Sequence, residues 1–473
     1  MTLADSALEL CRDLQRGTVS AVEVMTEVYA RIERYNPQLN AIVSLLKRDS
    51  AMELAAQADK VPLAERGPLH GLPMATKDAV EVQGFPTTWG FAPWARQMAQ
   101  RDDPQAARLR QAGALFIGHT NMPEFGLGSN TFNSLFGATL NPYDTSRTAG
   151  GSSGGAAVAL ASGMLPLADG SDMGGSLRNP ASFCNVVGLR PSIGRVPPGR
   201  GFGWLARLVT TGPMARTVAD LALLFSVQAG PYAADPLTLP EPGTTFLDAL
   251  RATERLDQCR IAYSPALHGL PIDQEVASVI AAAATTLQDL GAEVTEAQPD
   301  LSRAMDVFQV QRAAGLANLG NNLDNTLPNW RTHAKDTAIW NIEKGQQLSA
   351  DEIFEAELTR TQIYAEVVKF FENYDALILP AAQVPPFPIE QEWVTAINGE
   401  TMLSYIDWMT VCCAITVTSL PALSVPAGFT QDGLPVGLQI VGKPRGDLAL
   451  LQLAAAFEQA TQHYLRAPAI GHF

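Results

Sequence analysis

Apolar positions recur at helical spacing after Ser20, where Val22, Met25, Tyr29 and Ile32 fall on one face. Ser20 and Glu23 have the spacing of a capping box, so a helix is predicted to start there. A second helix is predicted to open at Asp103-Pro104 and close at Gly113, ahead of a buried strand at Ala114-Leu115-Phe116-Ile117. The same helix–glycine–strand order returns at Leu287 to Val294. Such alternation predicts an α/β fold with helices packed on a sheet. Another helix is expected over Thr217–Val227.

The end of the chain has a different pattern. Leu423-Ser424-Val425 and Val436 to Val441 read as strands joined through Asp432-Gly433, a hairpin signal. Asp447 is expected to cap a final helix through Leu450, Leu451 and Ala454. A hairpin beside alternating units predicts a mixed sheet. The charge-free run from Trp408 to Gln431 is long enough for a membrane span, but it contains Pro421 and Pro426 and is read as buried strands. Pro231, Pro236, Pro240 and Pro242 punctuate a loop, read as a surface connection within one large domain.

Composition narrows the partners. The 473 residues carry a formal net charge of −15 and no dense basic run, which argues against a nucleic-acid partner. The five cysteines are odd in number and lack metal-ligand spacing, as expected of a reducing compartment. Met1 to Asp5 lacks the basic and apolar parts of a signal peptide, so a cytoplasmic location is expected.

The candidate chemistry lies in two glycine clusters. Ser152 sits in Gly150-Gly151-Ser152-Ser153-Gly154-Gly155, and Ser176 in Asp172-Met173-Gly174-Gly175-Ser176-Leu177-Arg178. Glycines let backbone N–H groups approach a reacting atom, and acyl transfer needs a nucleophile beside such donors. Ala156–Ala161 suits a close-packed helix of about 13 Å. Leu165-Pro166-Leu167-Ala168 suits a returning strand of about 15 Å. The two lengths match, so the serine turns are predicted to meet. None of the six histidines lies in a motif that marks it as the base. Lys77, after the apolar run Gly71-Leu72-Pro73-Met74-Ala75-Thr76, is an alternative base if burial lowers its pKa. The residues by themselves also leave open an ordinary lysine paired with Asp78. Asp172 and Arg178 are expected to hold the Ser176 loop by charge pairing.

At these residues the chain resembles the amidase signature family. The likeness runs through both serine clusters, Pro180, Phe183-Cys184, Gly188-Leu189-Arg190-Pro191, Gly71-x-Pro73-x-x-x-Lys77-Asp78, Thr120 to Phe125, and Gly433 to Gln439. The resemblance implies a large mixed twisted central β-sheet covered by α-helices on both faces, in a single domain spanning 1–473. Its signature core would occupy about 65–230 and 410–465, with a variable substrate-facing region at about 231–410. It further implies a triad in which Ser176 is acylated, Ser152 relays protons after a cis peptide bond, and Lys77 is the base. Backbone N–H groups of Met173, Gly174, Gly175 and Ser176 would form the oxyanion hole. Gly126 and Leu127 would contact substrate, and no metal or cofactor is implied. Ser171, Met173 and Arg190 depart from the family's commoner residues without removing a triad member. Trp330, Trp340 and Trp393 in the variable region are candidates for lining a substrate channel.

The expected activity is hydrolysis of small-molecule amides, extending to aryl esters or carbamates, with the oligomeric state open between monomer and homodimer. A glutamine-hydrolysing subunit of a tRNA-dependent amidotransferase is the alternative. A histidine-dependent esterase also fits, because Gly150–Gly154 satisfies G-x-S-x-G, but it leaves the Ser176 cluster unexplained.

Overall fold

The computed structural model describes residues 6–199, 207–251, 255–468 and 470. The site is positioned by two sheets. The smaller contains β1 (Ile42–Val43), β2 (Pro73–Lys77) and β3 (Leu115–Thr120), in the order β1-β3-β2 with β2 and β3 parallel. The larger has eight strands: β4 (Ala168–Asp172), β5 (Val187–Arg190), β6 (Thr210–Ala215), β7 (Arg260–Tyr263), β8 (Glu293–Glu296), β9 (Ala376–Pro380), β10 (Ala422–Phe429) and β11 (Pro435–Gly442). Their spatial order is β8-β7-β9-β11-β10-β5-β6-β4. Only β7 pairs in parallel, with β8 and β9; the other neighbours are antiparallel. The sheet is therefore mixed, as the terminal hairpin predicted.

Both faces of the sheet centre are covered. Every residue of β11 and all but the last of β10 are buried, which an uncovered face would forbid. Helices Arg178–Phe183, Gln274–Asp289 and Asp447–Thr461 pack on these strands. The helix predicted after Ser20 spans Ala21–Leu39 with its capping box formed, and Met25, Tyr29 and Ile32 are buried. The helix at Pro104–Gln111 ends before Gly113, whose φ of +96° turns the chain into β3. The helix expected from Thr217 spans Val218–Gln228, and the Thr217 hydroxyl accepts from the Asp220 N–H.

Three local expectations are corrected. The charge-free run after Trp408 begins as a helix, Thr410–Val417, and only Ala422–Phe429 is strand. An all-apolar run carries no period, so burial alone could not separate the two forms. The strand between the serine turns is Ala168–Asp172, with Leu165 in the turn before it, its N–H donating to Ala159. Asp447 starts its helix but does not cap it. Its carboxylate accepts from Ser192 N–H at 2.8 Å and pairs with Arg195 Nε at 2.9 Å. Burial gave the side chain a stronger cationic partner than the helix end.

Candidate active site

Lys77 is the last residue of β2, where that strand runs against β4. Its backbone N–H donates to Asp169 Oδ1 at 2.9 Å, tying the two sheets together. Its side chain is only 1% exposed. The ammonium nitrogen lies 2.7 Å from Ser152 Oγ, 3.1 Å from Ser153 Oγ and 3.0 Å from Ser171 Oγ. All three are neutral oxygens. Burial pushes the Lys77 pKa down to about 7, against the upward pull of Asp169 and Asp172. Asp78 is not its partner, because that carboxylate accepts from the Thr88 hydroxyl and from the N–H groups of Thr88 and Gly90.

Ser152 follows a cis Gly151–Ser152 peptide bond and is buried. The helix after it, Gly154–Ala161, is packed so tightly that a Cβ on Gly155 would stand 2.3 Å from Asn121 N. Only glycine admits that approach. The chain leaves this helix, enters β4 and returns to the starting end, where Ser153 N–H donates to the Ser176 carbonyl at 3.2 Å. The two glycine turns are thus adjacent, and Ser176 lies in the loop that β4 delivers.

That loop is fixed by buried charge. The Asp172 carboxylate receives Arg178 Nε at 3.0 Å and Nη2 at 2.8 Å, and both residues are wholly buried. Arg190 Nη1 donates to the Asp172 carbonyl at 2.6 Å. Burial alone would raise the Asp172 pKa, but the adjacent Arg178 charge and hydrogen bonds hold it well below the usual carboxylate range. The same carboxylate accepts from Gly175 N–H at 2.9 Å. Of the four N–H groups expected to form the oxyanion hole, that of Gly175 is thus engaged by Asp172. The N–H groups of Met173, Gly174 and Ser176 have no acceptor among the described residues. Below Gly174 lie the Phe308 ring and Cys413 Sγ, at 3.1 and 3.0 Å from where a Cβ would stand.

Gly126 (φ +74°) comes beside Ser152, with its missing Cβ 3.5 Å from Ser152 Oγ. Leu127 follows Gly126 on the same loop. Its side chain packs into a separate buried cluster with Phe91, Phe125 and Trp330, and its carbonyl accepts from Lys335 Nζ at 2.7 Å. Phe125 makes ring contacts with Phe91 and Trp94, which hold the chain there. Trp340 is 42% exposed, and Trp393 packs half-buried on the main core.

Sequence reasoning missed Asp169, Ser153, Ser171 and Lys335. Asp169 and Ser171 alternate along β4 and both reach Lys77, a period-two signal obscured because the strand's sequence is polar. No described histidine hydrogen-bonds to Ser152 or Ser176; His119, fully buried, bonds to Thr76 instead. His472 lies outside the described residues. Among the described residues no helix is long and apolar enough to cross a membrane.

A buried lysine among serine hydroxyls, on a mixed α/β sheet, marks an enzyme built for acyl chemistry. The Amidase family model matches residues 23–451, and the chain belongs to that family. It is a hydrolase acting on amide C–N bonds. It is 35% identical to an acylamidase from Rhodococcus erythropolis over 460 residues, covering 96% of this chain and 94% of that one. It is 32% identical to a glutamyl-tRNA(Gln) amidotransferase subunit from Moorella thermoacetica, with 98% of each covered. Among solved structures, a bacterial aryl acylamidase of the amidase signature family superposes with a TM-score of 0.90 at 30% identity, covering 98% of both chains. A 6-aminohexanoate cyclic dimer hydrolase bound to substrate gives 0.88 at 25% identity, covering 99% of this chain and 100% of that one.

Proposed function

We propose that the protein is a stand-alone cytoplasmic amidase that cleaves small-molecule acyl amides through a Ser176–Ser152–Lys77 relay. The observation that carries this reading is the 2.7 Å contact between Lys77 Nζ and Ser152 Oγ, made by an amine with a pKa near neutrality. Neutral Lys77 takes the Ser152 proton as Ser152 takes the Ser176 proton, and Ser176 Oγ bonds to the amide carbon. The oxyanion forms against the free N–H groups of Met173, Gly174 and Ser176. Collapse breaks the C–N bond while the proton returns through Ser152 to the leaving nitrogen. Water then attacks the acyl-Ser176 ester by the same relay. Gly126 leaves room beside Ser152 for the substrate. Aryl esters and carbamates, which need less help at the leaving group, fall within the same chemistry. Peptide mapping after reaction with an activated aryl amide is expected to place the acyl group on Ser176, and Ser176→Ala to abolish turnover. Acylation of Ser152 would overturn the assignment.

The second reading is a glutaminase subunit of a tRNA-dependent amidotransferase. It is favoured by full-length similarity to several such subunits. The net charge of −15 weighs against contact with tRNA. Glutamine hydrolysis that appears only with a copurifying partner would decide for it.

A further inference from the structure

Arg312, in helix Ala304–Thr326, is a buried cation that the relay does not use. It is 2% exposed. Arg178, Arg195 and Arg207 are similarly buried, and each pairs with an aspartate: Asp172, Asp447 and Asp235. Arg312 has no such partner among the described residues. Its guanidinium donates to the Tyr405 hydroxyl and, at 3.2 Å, to Gln309 Oε1, and its Nε is unpartnered. The rings of Phe308, Tyr405 and Trp340 surround it, 5.7, 5.6 and 6.0 Å from the guanidinium carbon.

A second cation points to the same place. Lys344 Nζ lies 3.4 Å from Gln309 Oε1, so one amide oxygen is shared by two cations. Lys344 arrives on helix Asp336–Gln346, which packs so closely that a Cβ on Gly345 would meet the Ala313 carbonyl at 2.0 Å. The Tyr405 hydroxyl oxygen already accepts from Arg312 and from Asn341 Nδ2. The cluster thus holds more donors than acceptors, in a chain whose net charge is −15. Burying a cation without an anion is costly, so a negative occupant is the missing part. The direction it would come from is given by Phe308. One turn before Arg312, its ring abuts Gly174 in the proposed oxyanion loop. The Phe308 ring therefore lies between Arg312 and the Gly174 backbone.

We propose that Arg312 and Lys344 bind a carboxylate carried by the substrate, making the enzyme selective for acidic amides. The inference rests on the amidase reading above. The carboxylate would be separated from the reacting carbonyl by a few methylenes or one ring.

The test uses matched pairs. Mono-4-nitroanilides of succinic, glutaric and adipic acids are compared with butyryl, valeryl and hexanoyl 4-nitroanilides. N-acyl-4-aminobenzoates are compared with N-acylanilines, placing the charge on the amine side. Wild-type kcat/KM is expected to favour the acid in at least one series. Arg312→Met is expected to cut that acid-to-neutral ratio about tenfold to a hundredfold, mostly through KM, the size of a lost charged hydrogen bond. Lys344→Met, at a partly exposed position, should lower the ratio less and serves if Arg312→Met does not fold. An unchanged ratio in Lys344→Met and in any folded Arg312 variant overturns the proposal, as does wild-type indifference to charge in both series. Failure to hydrolyse any of the amides would instead overturn the amidase reading.

Discussion

The titration of Lys77 is the most exposed consequence of the site. Moving its pKa from 10.5 to about 7 corresponds to roughly 5 kcal/mol against the buried ammonium. If neutral Lys77 is the base, activity is lost as pH falls through about 7. About a tenth of the enzyme would carry the neutral amine at pH 6, and about nine-tenths at pH 8. The pH profile of kcat/KM on a neutral anilide should therefore rise about tenfold between these values and then flatten. The negative charge of Asp169 raises the lysine pKa, so Asp169→Asn should move the acid limb to lower pH. Stability carries the same signature with a defined sign. Between about pH 7 and 10.4 the unfolded lysine holds a proton that the folded one lacks, so unfolding free energy rises by about 1.36 kcal/mol per pH unit. Denaturation of wild type and Lys77→Met across pH 7 to 9.5 isolates that slope, because the variant lacks it. A rate that keeps climbing tenfold per unit beyond pH 9 would mean an ordinary lysine pKa. Together with parallel stability curves, it would refute the argument.

Three further outcomes follow from the same contacts. Asp172→Asn leaves the Arg178 charge buried without its carboxylate and should destabilise the fold by about 3–5 kcal/mol in chemical denaturation. Lys335→Met removes the donor to the Leu127 carbonyl. Hydrogen exchange over 126–129 should accelerate and kcat/KM fall by roughly tenfold, within the range of one lost charged hydrogen bond. Replacing His268, His333 or His463 by Ala should leave kcat/KM within about twofold, since surface changes away from a site are near neutral. A large loss in a folded variant would restore a histidine as base.

How much was legible in the sequence depended on what each pattern encodes. The capping box at Ser20 and the terminal hairpin were readable because they depend on local hydrogen bonds and turn geometry, which neighbouring residues supply. Strand Ala168–Asp172 was misplaced because its polar side chains face partners rather than water or oil. Asp169 meets the Lys77 N–H and Gln105, while Asp172 meets Arg178. The helix at Thr410–Val417 was missed because an element buried from Val411 to Val417 has no polar face to set its period.

The sequence by itself determined the mixed α/β character, the two glycine-bound serines and, through resemblance to a family, the residues able to perform acyl transfer. Tertiary structure decided which groups meet. It surrounded Lys77 with three serine hydroxyls, a polarity no one-dimensional spacing reveals. It assigned the Gly175 N–H to Asp172, and Leu127 to packing, because hydrogen-bond donors and apolar side chains take the nearest available partner. It also left Arg312 without an aspartate among the described residues. Burial, charge neutrality and donor geometry are properties of neighbours in space, and only the folded chain determines them.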